Sequence, residues 1–349
     1  MAAENATLRG RAQGSKVGLL RRGLSAVSIV FPVLVISGLF YAAFFVKPVA
    51  RIVVTPTPVI ETRDLFYSTV AAGDGVLWAA GSHGKIIRSE DAGASWRAQA
   101  SNVNVHLKGL AAWDEKMAIA VGNEYTIVRT VDGGHTWEKV ALPDNMLDVK
   151  LLKARTGNKP GNGVAIGEFG TVLATSDFGQ TWTLASTGAD VSWNDAAMLS
   201  ESKWVLVGEF GQILRTENAG ESWEKLESPV ESSLNAVYFR DTENGVTVGT
   251  EGVILVTNDS GRTWRATTGV NRTHIYDVAW DGRRWIAVGD RGLLLTAETS
   301  GLRWNDKSMA TSAGWRSHIA FDGGRYVLSG RGIELADIPS ETTNVGAKR

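Results

Sequence analysis

The chain has 349 residues and carries 36 Lys and Arg against 37 Asp and Glu, a formal net charge of -1, with 39 glycines and no cysteine. The absence of cysteine excludes disulfides, acylation of a lipobox thiol and cysteine-based metal or redox chemistry. Residues 1–60 hold +6, which leaves -7 for residues 61–349, and that balance argues against nucleic acid as a partner.

The first 22 residues are basic, with Arg9, Arg11, Lys16, Arg21 and Arg22 against the single acid Glu4. The stretch that follows, Gly23 to Val46, runs 24 residues without a charge. As a helix it would measure about 36 Å against a hydrocarbon core of about 30 Å, which predicts a transmembrane helix over 23–46. The positive-inside rule then places the N-terminus in the cytoplasm and the rest of the chain on the other side. In a Gram-negative bacterium that means a single-pass inner-membrane protein with a periplasmic domain. A cleaved signal peptide would carry a much shorter apolar region, of about 7 to 15 residues, so the reading is an uncleaved anchor. Residues 47–63 form a linker in which RIVVTPTPVIETR (Arg51 to Arg63) includes alternating β-branched residues, as a strand would.

From residue 64 the chain repeats itself. Five near-copies of one octet, SEDAGASW, TVDGGHTW, TSDFGQTW, TENAGESW and TNDSGRTW, end at Trp96, Trp137, Trp182, Trp223 and Trp264, and a worn sixth, AETSGLRW, ends at Trp304. The tryptophans are 40 to 45 residues apart, a period that signals a repeated supersecondary unit. The fifth unit shows its content most clearly: LNAVYF (Leu234 to Phe239), GVTVG (Gly245 to Gly249) and VILVT (Val253 to Thr257), then NDSGRT and Trp264. Short apolar and β-branched runs separated by Gly, Asn and Asp read as consecutive antiparallel strands, four per unit with the last after the tryptophan, which is the content of a propeller blade. A glycine closing the second strand recurs at Gly81, Gly122, Gly167, Gly208, Gly249, Gly289 and Gly330, so the units number seven. The extra residues of the third unit lie in TGNKPGNG (Thr156 to Gly163), which reads as a longer hairpin loop. The prediction is an all-β, seven-bladed propeller over 64–338, followed by a disordered tail over 339–349. The seventh unit has no octet and no room for an outermost strand, so part of 51–63 is expected to pair with that edge and close the ring.

The octet falls between the third and fourth strands. Asp91, Asp132, Asp177 and Asp259, with Asn218 in the fourth copy, can accept hydrogen bonds from turn amides, and the following Gly permits a positive φ. One carboxylate per copy is far from the six or more oxygens calcium wants, so these residues and Trp96, Trp137, Trp182, Trp223 and Trp264 read as structural staples.

The octet matches the Asp-box, or bacterial neuraminidase repeat. The longer pattern G-x-x-G-x-[IV]-L-x-T-x-D-x-G-x-T-W, carried most fully by Gly167 to Trp182 and Gly208 to Trp223, resembles the photosystem II stability and assembly factor family from about residue 64 to 337. The resemblance implies a protein-binding propeller that assists assembly of photosystem II in a photosynthetic host. In a non-photosynthetic bacterium the same architecture points to another membrane assembly, such as a transporter. That family is associated with an arginine-rich patch; Arg88, Arg129 and Arg215 share one position here, but Ala174, Val256 and Thr296 occupy it in units three, five and six.

In a four-stranded meander the turns between second and third strands share a face with the blade-to-blade connections. That face should present Glu124, Glu168, Phe169, Glu209, Phe210 and Glu251, then Arg272, His274, Asp290, Arg291 and Arg331. Residues 262–331 carry +5 and the rest of the propeller -12, so the disc is polarised. Arg272, Arg291, Arg331, Glu168, Phe169, Glu209 and Phe210 are the candidate partner-binding residues. A solvated rim whose phenylalanines tuck into neighbouring turns is the alternative.

Catalytic, cofactor and metal sites are not expected. A sialidase would need an Arg cluster and a Tyr nucleophile with a Glu partner, and its R-I-P signature is missing, VARIVVTP (Val49 to Pro56) being the nearest approach. His83, His106, His135, His274 and His318 fall in different units without ligand spacing. The G-x-x-G pairs join strand to strand without the helix that phosphate binding uses, so no nucleotide is expected. The reading is a membrane-anchored propeller that binds an integral membrane protein or complex. The alternative is a periplasmic glycan-binding or glycan-cleaving propeller, for which Trp193 and Trp315, near blade connections, are the residues to watch.

Overall fold

The computed structural model describes residues 30–41, 43–44, 58–144, 148–185, 187–267, 271–308, 314–322 and 324–337. The chain divides into two units, residues 1–56 and 57–349. In the first, residues 30–41 and 43–44 are helical, and no helix among the described residues is long and apolar enough to cross a membrane. The remainder of the 23–46 span lies outside the described residues.

The second unit is a propeller of seven sheets, each an antiparallel meander in chain order. Blades 1 to 6, spanning 66–99, 107–139, 151–184, 193–226, 234–266 and 275–306, have four strands, and blade 7, spanning 316–336, has three. The second strands of blades 1 to 6, such as Leu77–Gly81, Ala118–Gly122 and Trp204–Gly208, are buried at every position. Both of their faces meet a neighbouring blade, which is why they read as unbroken runs of apolar and small residues. The fourth strands are two or three residues long and largely exposed, which is why the sequence shows little pattern there.

The core is a set of clusters lying between successive blades. Trp78 and Ala80 of blade 1, for instance, meet Leu107, Leu110, Ala118 and Trp137 of blade 2. Each tryptophan of the octets Trp137, Trp182, Trp264 and Trp304 joins a cluster containing residues of the preceding blade, so it seals a seam as well as a turn.

The glycine ending each second strand has a steric cause. A Cβ there would lie 2.0 to 2.4 Å from the carbonyl oxygen just before the same blade's first strand: Leu65, His106, Lys150, Ser192, Ser233, His274 and Trp315 for the seven glycines in order. The backbone itself is extended at these positions (φ -159 at Gly208), so close approach and not chirality demands the glycine.

Blade 7 meets blade 1 through the same contact that joins other blades. Asn194 Nδ2 donates to the Leu234 carbonyl (2.8 Å), Asn235 Nδ2 to that of Ile275 (2.7 Å), and Ser317 Oγ to that of Phe66 (3.0 Å). Leu77 of blade 1 packs with Ala320 and Val327 of blade 7. Residues 58–63 form bends and turns, with Val59 and Ile60 packed near Phe66 and Ile333. Residues 51–57, the rest of the expected closing strand, and the tail over 339–349 lie outside the described residues.

Replacing Gly249 by Ala should lower stability by about 1–3 kcal/mol, the usual range for overpacking. Denaturant unfolding of the variant checks this, and an unchanged midpoint would show that the backbone can give way at this contact.

Candidate partner-binding face

The octet turns come first, because they fix the opposite face. In blade 2, Asp132 Oδ1 accepts from the Thr136 amide (2.9 Å), Oδ2 from the Thr136 hydroxyl (2.6 Å), and the Thr130 hydroxyl donates to Oδ1 (2.9 Å). The Gly134 amide donates to Thr130 Oγ1 (2.8 Å). The pattern recurs around Asp91, Asp177 and Asp259, and Asn218 keeps it, its Oδ1 taking the Ser222 amide at 3.0 Å. The chain turns through two consecutive left-handed residues, such as Phe178 (φ 60) and Gly179 (φ 77). All the oxygens face their own loop, and among the described residues no group of acids or histidines is arranged to hold a metal. The Ser or Thr two residues before each Asp is an equal partner in the motif.

Hydrogen bonds from Ser95 hold the Asp91 carboxyl down at about 2. Burial pushes the Asp132 carboxyl up, but the bonds from Thr136 and Thr130 outweigh it and leave it at about 2 as well. A folded-state pKa below the unfolded value of about 3.9 stabilises the fold above that pH, and the contribution disappears as pH falls from about 4 toward 2. Thermal melts between pH 5 and 2 should therefore show an acid limb that is shallower in the double variant Asp91→Asn, Asp132→Asn, as Asn218 preserves the turn without a titrating group.

Arg88, Arg129 and Arg215 are inter-blade ties. Arg88 Nη2 donates to the Glu115 carbonyl (3.2 Å), Arg129 Nε to that of Phe178 (2.6 Å) and Arg215 Nε to that of Ser260 (3.2 Å), each acceptor lying in the next blade. Arg215 is buried, its guanidinium held between blades and not in water.

The other face carries the turns between second and third strands. His83, Glu124, Phe169, Phe210, Glu251 and Arg291 occupy one equivalent position, each with left-handed backbone (φ 52 to 57), and in blade 2 the next residue, Tyr125 (φ 49), is left-handed too. Non-glycine residues pay roughly 1–2 kcal/mol there, and such strain tends to persist at working surfaces. Phe169 and Phe210 are 53% and 68% exposed and do not tuck into neighbouring turns. Arg272 and Arg291 are each 86% exposed, the first beside Glu251 (3.0 Å) and the second near Asp290 (3.9 Å), and Arg331 is exposed as well. Glu168 and Glu209 are used internally: Glu168 accepts from the Lys150 amide (3.1 Å) and ammonium (2.8 Å), and Glu209 from the Ser192 amide (2.9 Å). Trp193 is fully buried with its Nε1 on Thr187 Oγ1 (3.1 Å), and Trp315 is half-buried and stacked on Tyr67.

Beneath this face lies a set of charges that the sequence reading did not assemble. Arg155 grips Asp195 through two bonds (2.9 and 2.6 Å), and Asp195 also takes the Val237 amide of blade 5 (3.0 Å). Asp277 of blade 6 takes the Ile319 amide of blade 7 (2.9 Å), with Lys153 Nζ at 3.6 Å and His318 Nδ1 at 3.4 Å. Blades 3 and 6 are not neighbours, so the Lys153–Asp277 approach crosses the central channel. Burial, helped by Lys153 and Arg155, pushes His318 well below its ordinary range, so it stays neutral. Aligning the seven first strands would have exposed the set, since Lys153, Asp195, Asp277 and His318 sit at one register position, the residue after the irregularity in each strand.

The family model of the photosynthesis system II assembly factor YCF48 matches residues 102–226 and 216–314. The chain belongs to this family. A structure of YCF48 bound to D1 peptide is similar over 80% of this chain and 94% of its own, at 17% identity and a TM-score of 0.67. YCF48 from Cyanidioschyzon merolae is similar over 79% and 96%, at 16% identity and a TM-score of 0.65. The GH74 xyloglucanase from Xanthomonas campestris shares the fold at 15% identity and a TM-score of 0.66, over 80% of this chain but only 52% of the enzyme. No curated protein matches the chain. Structures this dissimilar in sequence share a fold, while the family match ties the chain to YCF48.

Proposed function

We propose that this protein is a membrane-anchored, non-enzymatic propeller that binds an integral membrane protein and assists the assembly or function of its complex. The observation that carries the reading is the pair Phe169 and Phe210, large apolar side chains held outward on strained left-handed turns beside a polarised rim. Exposed aromatics ringed by charge are the ordinary anchors of a protein interface. Family membership supports it, and the YCF48 structure that holds a D1 peptide shows that a propeller of this family can hold a segment of another chain. In a photosynthetic host the partner would belong to photosystem II, and elsewhere to another membrane assembly.

The uncharged stretch 23–46 is the proposed anchor, with the basic N-terminus cytoplasmic and the propeller periplasmic. An anchor would raise the effective concentration of the propeller near membrane partners. The full chain should remain with membranes after an alkaline carbonate wash and residues 57–349 should not; release of the full chain would overturn the anchor.

Affinity capture from solubilised membranes tests the working face. The wild-type chain should retain a membrane-protein partner that is lost when Arg272, Arg291 and Arg331 are changed together to Glu, or when Phe169 and Phe210 are both changed to Gly. Because glycine relieves the left-handed strain, the second variant should melt no lower than wild type while losing its partner. Undiminished capture by both variants would place binding elsewhere.

A further inference from the structure

At the mouth of the central channel, where blades 7, 1 and 2 meet, five side chains gather. Tyr67 and Lys108 are the second residues of the first strands of blades 1 and 2. The Lys108 ammonium lies over the Tyr67 ring, 3.8 Å from its centroid. Trp315 stacks against Tyr67 with centroids 6.3 Å apart and planes inclined by 21°. His106 meets the edge of Tyr67 at 6.0 Å, and His83, on the left-handed turn of blade 1, lies 5.0 Å from His106.

The charges in this cluster are unbalanced. Lys150 and Arg272 on the same face have carboxylates, Glu168 and Glu251, but among the described residues no acid pairs with Lys108. It is half-buried, and burial together with Lys150 weakens its hold on its proton. A cation over a ring gains less than a charge loses when water is removed without a counter-ion. His106 Nδ1 is also buried without a hydrogen-bond partner. A half-buried ammonium and an unsatisfied imidazole nitrogen beside a pair of aromatic rings make a slot for a flat anion with apolar neighbours, which is what an aspartate or glutamate in an aromatic-flanked segment offers.

We propose that this channel mouth is a specificity pocket that takes an acidic side chain of the partner protein, with Lys108 as its cation, Tyr67 and Trp315 as its walls, and His83 and His106 at its rim. The proposal rests on the protein-binding reading above and names the chemistry that the face selects. It centres the selective contact on Tyr67 and Lys108 of blades 1 and 2, on blades other than those that carry the exposed phenylalanines.

The test uses an array of random hexapeptides with acetylated and amidated ends, so that side-chain carboxylates are their only carboxylates. Wild-type protein should enrich peptides with Asp or Glu next to an aromatic or aliphatic residue. Lys108→Met should weaken binding of those peptides at least 10-fold. Lys108→Glu should abolish it and favour Lys or Arg at the same place. Thermal melts of both variants control for folding, and Lys108→Met carries the test if Lys108→Glu is unstable. Enrichment that is unchanged in a folded Lys108→Met variant, or no enrichment of acidic peptides by the wild-type protein, would each overturn the pocket. Membrane-partner capture by the same preparations separates the two ideas: retained capture without acidic selection defeats the pocket alone, and loss of capture by wild type defeats the broader reading.

Discussion

Everything in this propeller depends on how closely the backbone approaches itself at the end of each second strand. Seven times the chain passes within van der Waals distance of the carbonyl before its own first strand, and seven times only a hydrogen atom fits on the Cα. The contact fixes where the first strand begins relative to the second. It therefore fixes where the turn between second and third strands stands above it. The side chains at the tip of that turn, including Phe169 and Phe210, inherit their position from a glycine two residues earlier.

The two faces divide the labour between them. On one, five of the six octet turns spend a carboxylate or amide on their own hydroxyl and amide groups, leaving little polar chemistry to offer a ligand. On the other, the corresponding turns hold a histidine, two phenylalanines, two glutamates and an arginine in the same backbone conformation. The repeat has kept the turn geometry and varied the side chain. That is the arrangement expected of a scaffold whose recognition is written in the differences between blades.

Much of this was legible in the sequence because close-packed turns leave few alternatives. The seven glycines and the octets marked blade number, strand order and register, and Leu234–Phe239 and Gly245–Gly249 begin and end where their residues say they should. What escaped was contact across the ring. Nothing near Lys153 in the chain announces Asp277, and Trp315 gives no sign of Tyr67, because each pair is brought together only by closure. Arg88, Arg129 and Arg215 showed the limit from the other side: a shared position suggested a surface patch, yet each reaches a carbonyl of the next blade. Glu168 and Glu209 likewise read as free acids until the backbone amides of Lys150 and Ser192 appeared beside them.

The ion network through the channel has a bearing on how such a ring can change over time. Repeat proteins grow and shrink by gaining or losing whole units, and a ring of equal units would tolerate either with a small change in diameter. Here Lys153 and Asp277 come from blades three steps apart, and Asp195 and His318 depend on the same alignment. Adding or removing a blade between them would carry one charge away from its partner in a place that water does not freely reach. Sevenfold number is thus recorded twice, in the glycine period and in an unevenly charged axis. The second record breaks the symmetry that the first creates.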